Sequence, residues 1–379
     1  MSSVLTPPTT MAPRRDPKVD AARLDGADLL RGVAVVGVVA VHAAHWPSTT
    51  TPRDAAVWND LTLVMRFCVP VFVLLTGMLL EFRRDRARST PSFLLSRARR
   101  SVLPWLVWAP VYFVTGLLLT AEIERSAFAA GDWWAGGGGH LYFLLLVPQF
   151  YVVFLAWPRR LGTQVALALG LLAMQLTLET LRLTTILPGD AVRQFTLWHG
   201  FEIAPFWAGY FGLGVVIGRL AALGRLRPSR GAGIVAALAI VPAGWLLLRV
   251  TTGDPGLTDF AQGTGAFLRP LLVPLVVAIS LAALLGGPVA FSTQGRTMRT
   301  ARLLSRHALG IYILQALILY LPGRALFPLL DAGLPWSALG FALLVTAALA
   351  MSLAVSALIA RTPLAWTIGA PRSAPRHTS

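Results

Sequence analysis

Long apolar stretches, broken by short polar segments, run through almost the whole sequence. They lie near 29–46, 61–80, 101–120, 141–157, 161–178, 203–220, 231–250, 268–286, 308–322 and 337–360, and Leu, Ala and Val dominate each. A bilayer core takes roughly 17–25 mostly apolar residues per helix, so the pattern predicts about ten transmembrane helices, the fourth and ninth being short. Apolar residues surround each stretch without leaving a polar face, as lipid and a helix bundle both require. The expected fold is all-α: a polytopic membrane helix bundle forming a single domain over 23–361. A Pro-, Thr- and Ser-rich segment, 1–22, is expected to be a disordered tail, and 362–379 a second tail.

Composition strengthens this picture. Of 379 residues, 55% are hydrophobic and only 13% charged, with a mean hydropathy of +0.66. A soluble protein carries about 25% charged residues, so a soluble body is excluded. The single cysteine, Cys68, excludes an intrachain disulfide or a cysteine-based metal site. The net charge of +16 comes almost wholly from arginine, Lys18 being the one lysine. With the N-terminus placed inside, 24 of the 33 basic residues fall on cytoplasmic segments, seven outside, and Arg31 and Arg66 within spans. That bias is the positive-inside signature. It puts both termini in the cytoplasm of a bacterial-type plasma membrane, and makes the charge a topology signal with no nucleic-acid partner. The first apolar stretch has no A-x-A site after it and too long a polar lead for a signal peptide, so it is expected to be a retained helix.

Once topology is drawn, the six histidines separate. His42 and His45 lie at the outer end of the first span, His140 before the fourth and His199 before the sixth; His307 and His377 lie inside. Histidine is the usual general base near neutral pH, which directs attention to the outer face. Arg31 and His42 are 11 residues apart. Three helical turns put them on one face, roughly 16 Å apart along the axis. Ionisable groups within spans mark pathways and sites. The plainer alternative is that Arg31 snorkels to lipid phosphates and His42 bonds a neighbouring helix. Asp28 stands at i,i+3 from Arg31 and can pair with it. Arg66, five residues into the second span, calls for a carboxylate, a phosphate or water, or else acts as an anchor. The segment 83–100 holds seven arginines. Positive-inside signalling accounts for most of it, but Arg97, Arg99 and Arg100 adjoin the membrane, where they could take a nucleotide-like phosphate donor. Gly136 to Gly139 lead into His140 without the Gly-Lys-Ser/Thr of a P-loop, and no H-E-x-x-H, G-x-S-x-G or G-x-G-x-x-G pattern occurs.

The stretch from Asp28-Leu29-Leu30-Arg31-Gly32 to His42 resembles the opening of the acyltransferase family 3 integral membrane enzymes. Further blocks follow in the family's order. Val69-Pro70-Val71-Phe72-Val73-Leu74-Leu75-Thr76-Gly77 resembles its Phe-rich second helix, with Thr76 in place of serine. Arg97-Ala98-Arg99-Arg100 with Leu103-Pro104-Trp105 resembles the R-x-x-R run. His140-Leu141-Tyr142-Phe143-Leu144 with Gln149-Phe150-Tyr151 resembles the H-L-W/Y-F-L block, and Gly310-Ile311-Tyr312-Ile313-Leu314-Gln315 the Gly-Ile-Tyr block, with Gln315 where histidine is common. The resemblance implies transfer of an acyl group, acetyl or another short chain, from cytosolic acyl-CoA to a hydroxyl of a glycan or glycosylated acceptor. No metal is implied. On this reading Arg31, Arg97 and Arg100 hold the CoA phosphates, and His42 is the general base or a transient acyl carrier. His140 positions the acceptor and Arg66 steadies the oxyanion. Membrane lipid is the surrounding partner, and a homo-oligomer stays open. The competing expectation is an exporter or flippase for a polysaccharide or glycolipid. Against it, the sequence shows no pair of Gly/Pro-broken spans in matching positions of two halves.

Overall fold

The computed structural model describes residues 17–44, 55–84, 90–119, 140–183, 199–251, 269–330 and 338–370. Every regular element among them is helical. The α-helices are α1 (Pro17–Ala43), α2 (Ala55–Met65), α3 (Cys68–Phe82), α4 (Thr90–Leu119), α5 (Phe143–Leu155) and α6 (Leu161–Leu183), then α7 (Ala208–Ala222), α8 (Arg230–Thr251), α9 (Leu272–Leu281), α10 (Arg296–Leu330) and α11 (Ala338–Ile359). A π-turn, Ala282–Gly286, and a short turn of helix, Gly287–Ala290, prolong α9.

Each of the ten apolar stretches falls on a helix. Among the described residues seven helices are long and apolar enough to cross a membrane, and His140–Leu155 forms a shorter apolar one. The predicted first and third spans are the apolar parts of α1 and α4, helices of 27 and 30 residues that carry arginines towards one end. Helix α1 starts at Pro17, inside the segment assigned to the N-terminal tail, and a 3₁₀ turn, Pro363–Ile368, occupies the start of the C-terminal one. Residues 1–16 and 371–379, His45, and Gly136 to Gly139 lie outside the described residues.

The predicted second span is not one uninterrupted helix. It breaks between α2 and α3, at Arg66 and Phe67. Pro70 supplies the cause: four residues on, it has no N–H to return to the Arg66 carbonyl, and its ring crowds that carbonyl. An interior arginine is thereby placed at a discontinuity rather than on a regular helix face.

Two seams organise the bundle. In the first, α3 lies against α7 with almost no side-chain spacer. A methyl added at Gly214 would collide with the Leu74 carbonyl, one at Gly218 with the Met78 carbonyl, and one at Gly77 with the Phe211 carbonyl. Small residues let helix backbones approach this closely where no hydrophobic effect drives association. In the second seam α1 and α10 run side by side in the same direction. Asp25 pairs with Arg302 at 2.6 Å, and Ser305 donates to Asp28 at 2.6 Å, the two contacts spaced three residues apart on both helices. Above these, Val35, Val39, Ala40 and Ala43 pack against Leu304, Ala308, Ile311 and Leu319. Helices α8 and α11 expose large apolar side chains, Val241 and Leu339 among them, where a bilayer would cover them.

Candidate functional site

Helices α1, α3, α4 and α5 enclose a cavity of about 300 Å³. Four guanidiniums line it: Arg31 on α1, Arg83 at the end of α3, and Arg97 and Arg100 on α4. The one carboxylate in the lining is Asp28. Along α3 the wall runs from Arg83 through Thr76 to Phe72, three helical turns or roughly 16 Å. Along α5 it runs from Tyr151 to Phe143. One end of the cavity is thus strongly cationic and the other aromatic.

Arg31 and Arg97 are held differently. Arg31 donates through Nη1 to Ser305 Oγ at 2.8 Å, with Asp28 Oδ1 at 3.8 Å, so the predicted i,i+3 pair exists and Ser305 joins the two. The Arg97 guanidinium lies over the rings of Phe93 and Tyr151, 5.6 and 5.9 Å from their centroids. Burial holds it below the ordinary guanidinium pKa; Tyr151 opposes that shift, while Arg100 and Arg83 add to it. Arg83 follows directly on α3 as its C-cap. Arg84 donates to buried Glu81 and to the Pro158 carbonyl, both at 3.0 Å, which ties the end of α3 to the turn between α5 and α6. Gln164 donates to the same Glu81 at 3.1 Å.

At the opposite end the structure brings His42 and His140 together. Their ring centroids are 5.5 Å apart and nearly perpendicular. His140, on a 3₁₀ turn ahead of α5, is buried and packs edge-on against Tyr112 at 4.7 Å and Tyr312 at 5.4 Å. Tyr112 is pinned in turn. Its hydroxyl donates to the Ile313 carbonyl at 2.6 Å and accepts from Leu317 N at 3.2 Å, bridging one rung of α10. Gln149 keeps α5 in place by donating to the Glu202 carbonyl and accepting from Ala204 N, each at 2.9 Å.

Arg66, buried at the α2–α3 break, comes within electrostatic reach of Cys68, Tyr142 and Arg269. Tyr142 and Cys68 are in turn within electrostatic reach of Tyr312, the ring that touches His140. Between the two ends lie aromatic rings: Phe72 meets Phe143 at 5.9 Å, and Phe143 meets Tyr312 at 6.0 Å. The cavity therefore reaches the ring that touches Tyr312, itself in contact with His140.

Of the residues singled out in the sequence, Arg31, Arg97 and Arg100 share the cavity, and His42 and His140 share the cluster at its far end. His199 pairs with Glu202, Nδ1 to Oε2 at 3.2 Å, and His307 Nδ1 lies 3.0 Å from Ser356 Oγ, on the face of α10 that meets α11. Sequence reasoning missed Ser305, Arg83, Tyr112 and Arg269. Tyr312 was visible as part of the Gly-Ile-Tyr block, but its contact with His140 was not. No set of three or more His, Cys, Asp or Glu among the described residues is placed to hold a metal ion.

Comparison with known families accords with this geometry. The family model described as an acyltransferase domain matches residues 24–361, a span that contains every residue of the cavity and the histidine cluster. No curated protein and no solved structure matches the chain. The ordered sequence blocks and the extent of that match place this membrane helix bundle in acyltransferase family 3.

Proposed function

We propose that the protein transfers an acyl group, acetyl or another short chain, from cytosolic acyl-CoA to a hydroxyl of an extracytoplasmic or membrane-associated glycan or glycosylated molecule. The observation that supports this reading best is the cavity with arginines at one mouth and, past Phe72 and Phe143, the His42–His140 pair. By the positive-inside rule the arginine mouth faces the cytoplasm, in a bacterial-type plasma membrane. Arg31, Arg83, Arg97 and Arg100 receive the donor phosphates through charge-assisted hydrogen bonds, with guanidinium geometry suited to them. The roughly 16 Å from Arg83 to Phe72 matches a slender extended arm carrying its thioester towards the histidines.

There His42 accepts the proton of the acceptor hydroxyl as the oxygen attacks the thioester carbonyl. The new C–O bond forms, the C–S bond breaks, and the departing CoA thiolate takes up the proton that His42 accepted, which returns the imidazole to its neutral form. His140, clamped between Tyr112 and Tyr312, orients the acceptor and His42, and Arg66 with Tyr142 supplies positive potential near the developing oxyanion. Transfer through an acyl-His42 intermediate uses the same groups in two steps.

The test is direct. Membranes containing the protein, given acyl-labelled acyl-CoA and a panel of glycan acceptors, should place label in esters that mild alkali removes. Label that never leaves the thioester, alongside a change in the amount of glycan exported, would replace this reading with transport.

A further inference from the structure

A second cavity, of about 630 Å³, opens beside the first. Arg100 lines both. Its other walls include Ser96 and Arg99 from α4 and Trp366 and Gly369 from the 3₁₀ turn after α11. That turn is built to stay against α4. Trp108 Nε1 donates to the Thr367 carbonyl at 2.9 Å, and Thr362 Oγ1 caps the turn by accepting from Leu364 N at 3.1 Å. Gly369 closes it with φ of +65°, a left-handed conformation that glycine takes without strain. Trp366 is left 37% exposed, and Arg99 and Arg100 are exposed beside it. Among the described residues neither arginine is paired with a carboxylate. A half-exposed indole next to unpaired guanidiniums is suited to a flat aromatic base that carries phosphate.

We propose that this second cavity holds the nucleotide end of the acyl donor, the adenine against Trp366 and the ribose 3′-phosphate on Arg99, with Arg100 shared between that phosphate and the pyrophosphate in the first cavity. The proposal rests on the acyl-CoA reading above and extends it to Trp366, beyond residues 24–361 that the family model matches. It assigns the 3₁₀ turn after the last helix to donor recognition. An anionic lipid headgroup has the same phosphate chemistry, and the experiment separates the two.

Binding of CoA, 3′-dephospho-CoA and pantetheine is measured by calorimetry on the full-length protein in nanodiscs, once with uncharged lipid alone and once with anionic lipid added. Trp366→Ala should weaken CoA and 3′-dephospho-CoA alike by about tenfold, as loss of one base-stacking platform does, while Trp366→Phe restores most of the loss. Arg99→Ala should weaken CoA by about tenfold and 3′-dephospho-CoA by less than about twofold, the range of one charge-assisted hydrogen bond. A monodisperse peak on size exclusion and an unchanged melting temperature report that each variant is folded. Equal losses for all three ligands, or none for any, would overturn the inference while leaving acyl-CoA as the donor. Competition from anionic lipid that disappears in Trp366→Ala, with no discrimination among the three ligands, would assign the cavity to lipid. Wild-type protein that binds none of the three overturns the donor reading itself, and this inference with it.

Discussion

Replacing His42 with alanine separates the chemistry of that ring from its packing, and the two effects differ greatly in size. The ring meets His140 edge to face at 5.5 Å, a contact that contributes about 0.5–1.5 kcal/mol. A folded domain is stable by ~5–15 kcal/mol, and His140 keeps its contacts with Tyr112 and Tyr312. The variant should therefore insert and run as a monodisperse species. Loss of a general base costs about 10²–10⁴-fold in rate, or roughly 3–5 kcal/mol of barrier. The chemical loss exceeds the packing loss severalfold, so the expected result is a folded, inactive protein. His140→Ala should cost about 10²-fold, the penalty of misplacing a catalytic group by an ångström. Because the rings touch, the losses should not multiply: the double variant should lie within about threefold of His42→Ala alone. The assay is transfer of labelled acetyl from acetyl-CoA into alkali-labile ester, in membranes matched for protein content. His42→Ala retaining more than about a tenth of the wild-type rate would refute the general-base argument. Fully multiplicative losses would refute the claim that the two histidines work as one unit.

Other perturbations test other parts of the structure. Arg31→Ala removes a charge-assisted bond of about 1.5–3 kcal/mol and should raise the KM for acetyl-CoA roughly 10–150-fold. Ser305→Ala, which leaves the charge but frees it from its anchor, should raise it about 2–10-fold; steady-state kinetics over a donor series checks both. Gly214→Leu should drive α3 and α7 apart, seen as aggregation on size exclusion, whereas Gly162→Ala, with open space around the added methyl, should leave thermal stability unchanged or slightly raised. Tyr112→Phe deletes the hydroxyl that bridges Ile313 and Leu317 and should lower the melting temperature by an amount equivalent to about 1 kcal/mol. It should also slow transfer by freeing His140, and an unchanged rate would argue against that coupling.

What the sequence revealed depended on how far apart the interacting residues lie along the chain. The helix positions followed from apolar runs, since local composition decides them. The shared face of Arg31 and His42 followed from helical periodicity, and the Asp28–Arg31 pair from its spacing. Ser305 could not be foreseen: it lies 274 residues from Arg31, and only the same-direction packing of α1 and α10 brings them together. Tyr112 reaches His140 from another helix, and nothing in Val111-Tyr112-Phe113 distinguishes it from an ordinary apolar-helix tyrosine. The break at Arg66 did have a signal. Pro70 stands four residues on, where its ring must disturb the Arg66 carbonyl, but the apolar run on both sides of it reads as one continuous span. The α3–α7 seam was legible only as glycines; which helix they face is a property of the bundle.

The Phe72–Phe143 layer has a consequence for the membrane as an ion barrier. A polar cavity open to one side and a cluster of titratable rings near the other would, if joined by water, let protons run down the gradient that energises the cell. Phe72 and Phe143, ring against ring at 5.9 Å, set an apolar layer across that path. In the proposed reaction this layer parts for a thioester arm, and the arm that parts it fills the gap it makes. On the proposed reading, electrical tightness and acyl delivery are served by the same pair of side chains. Shrinking both rings to alanine should be felt first as proton leak across vesicles, even before any donor is supplied.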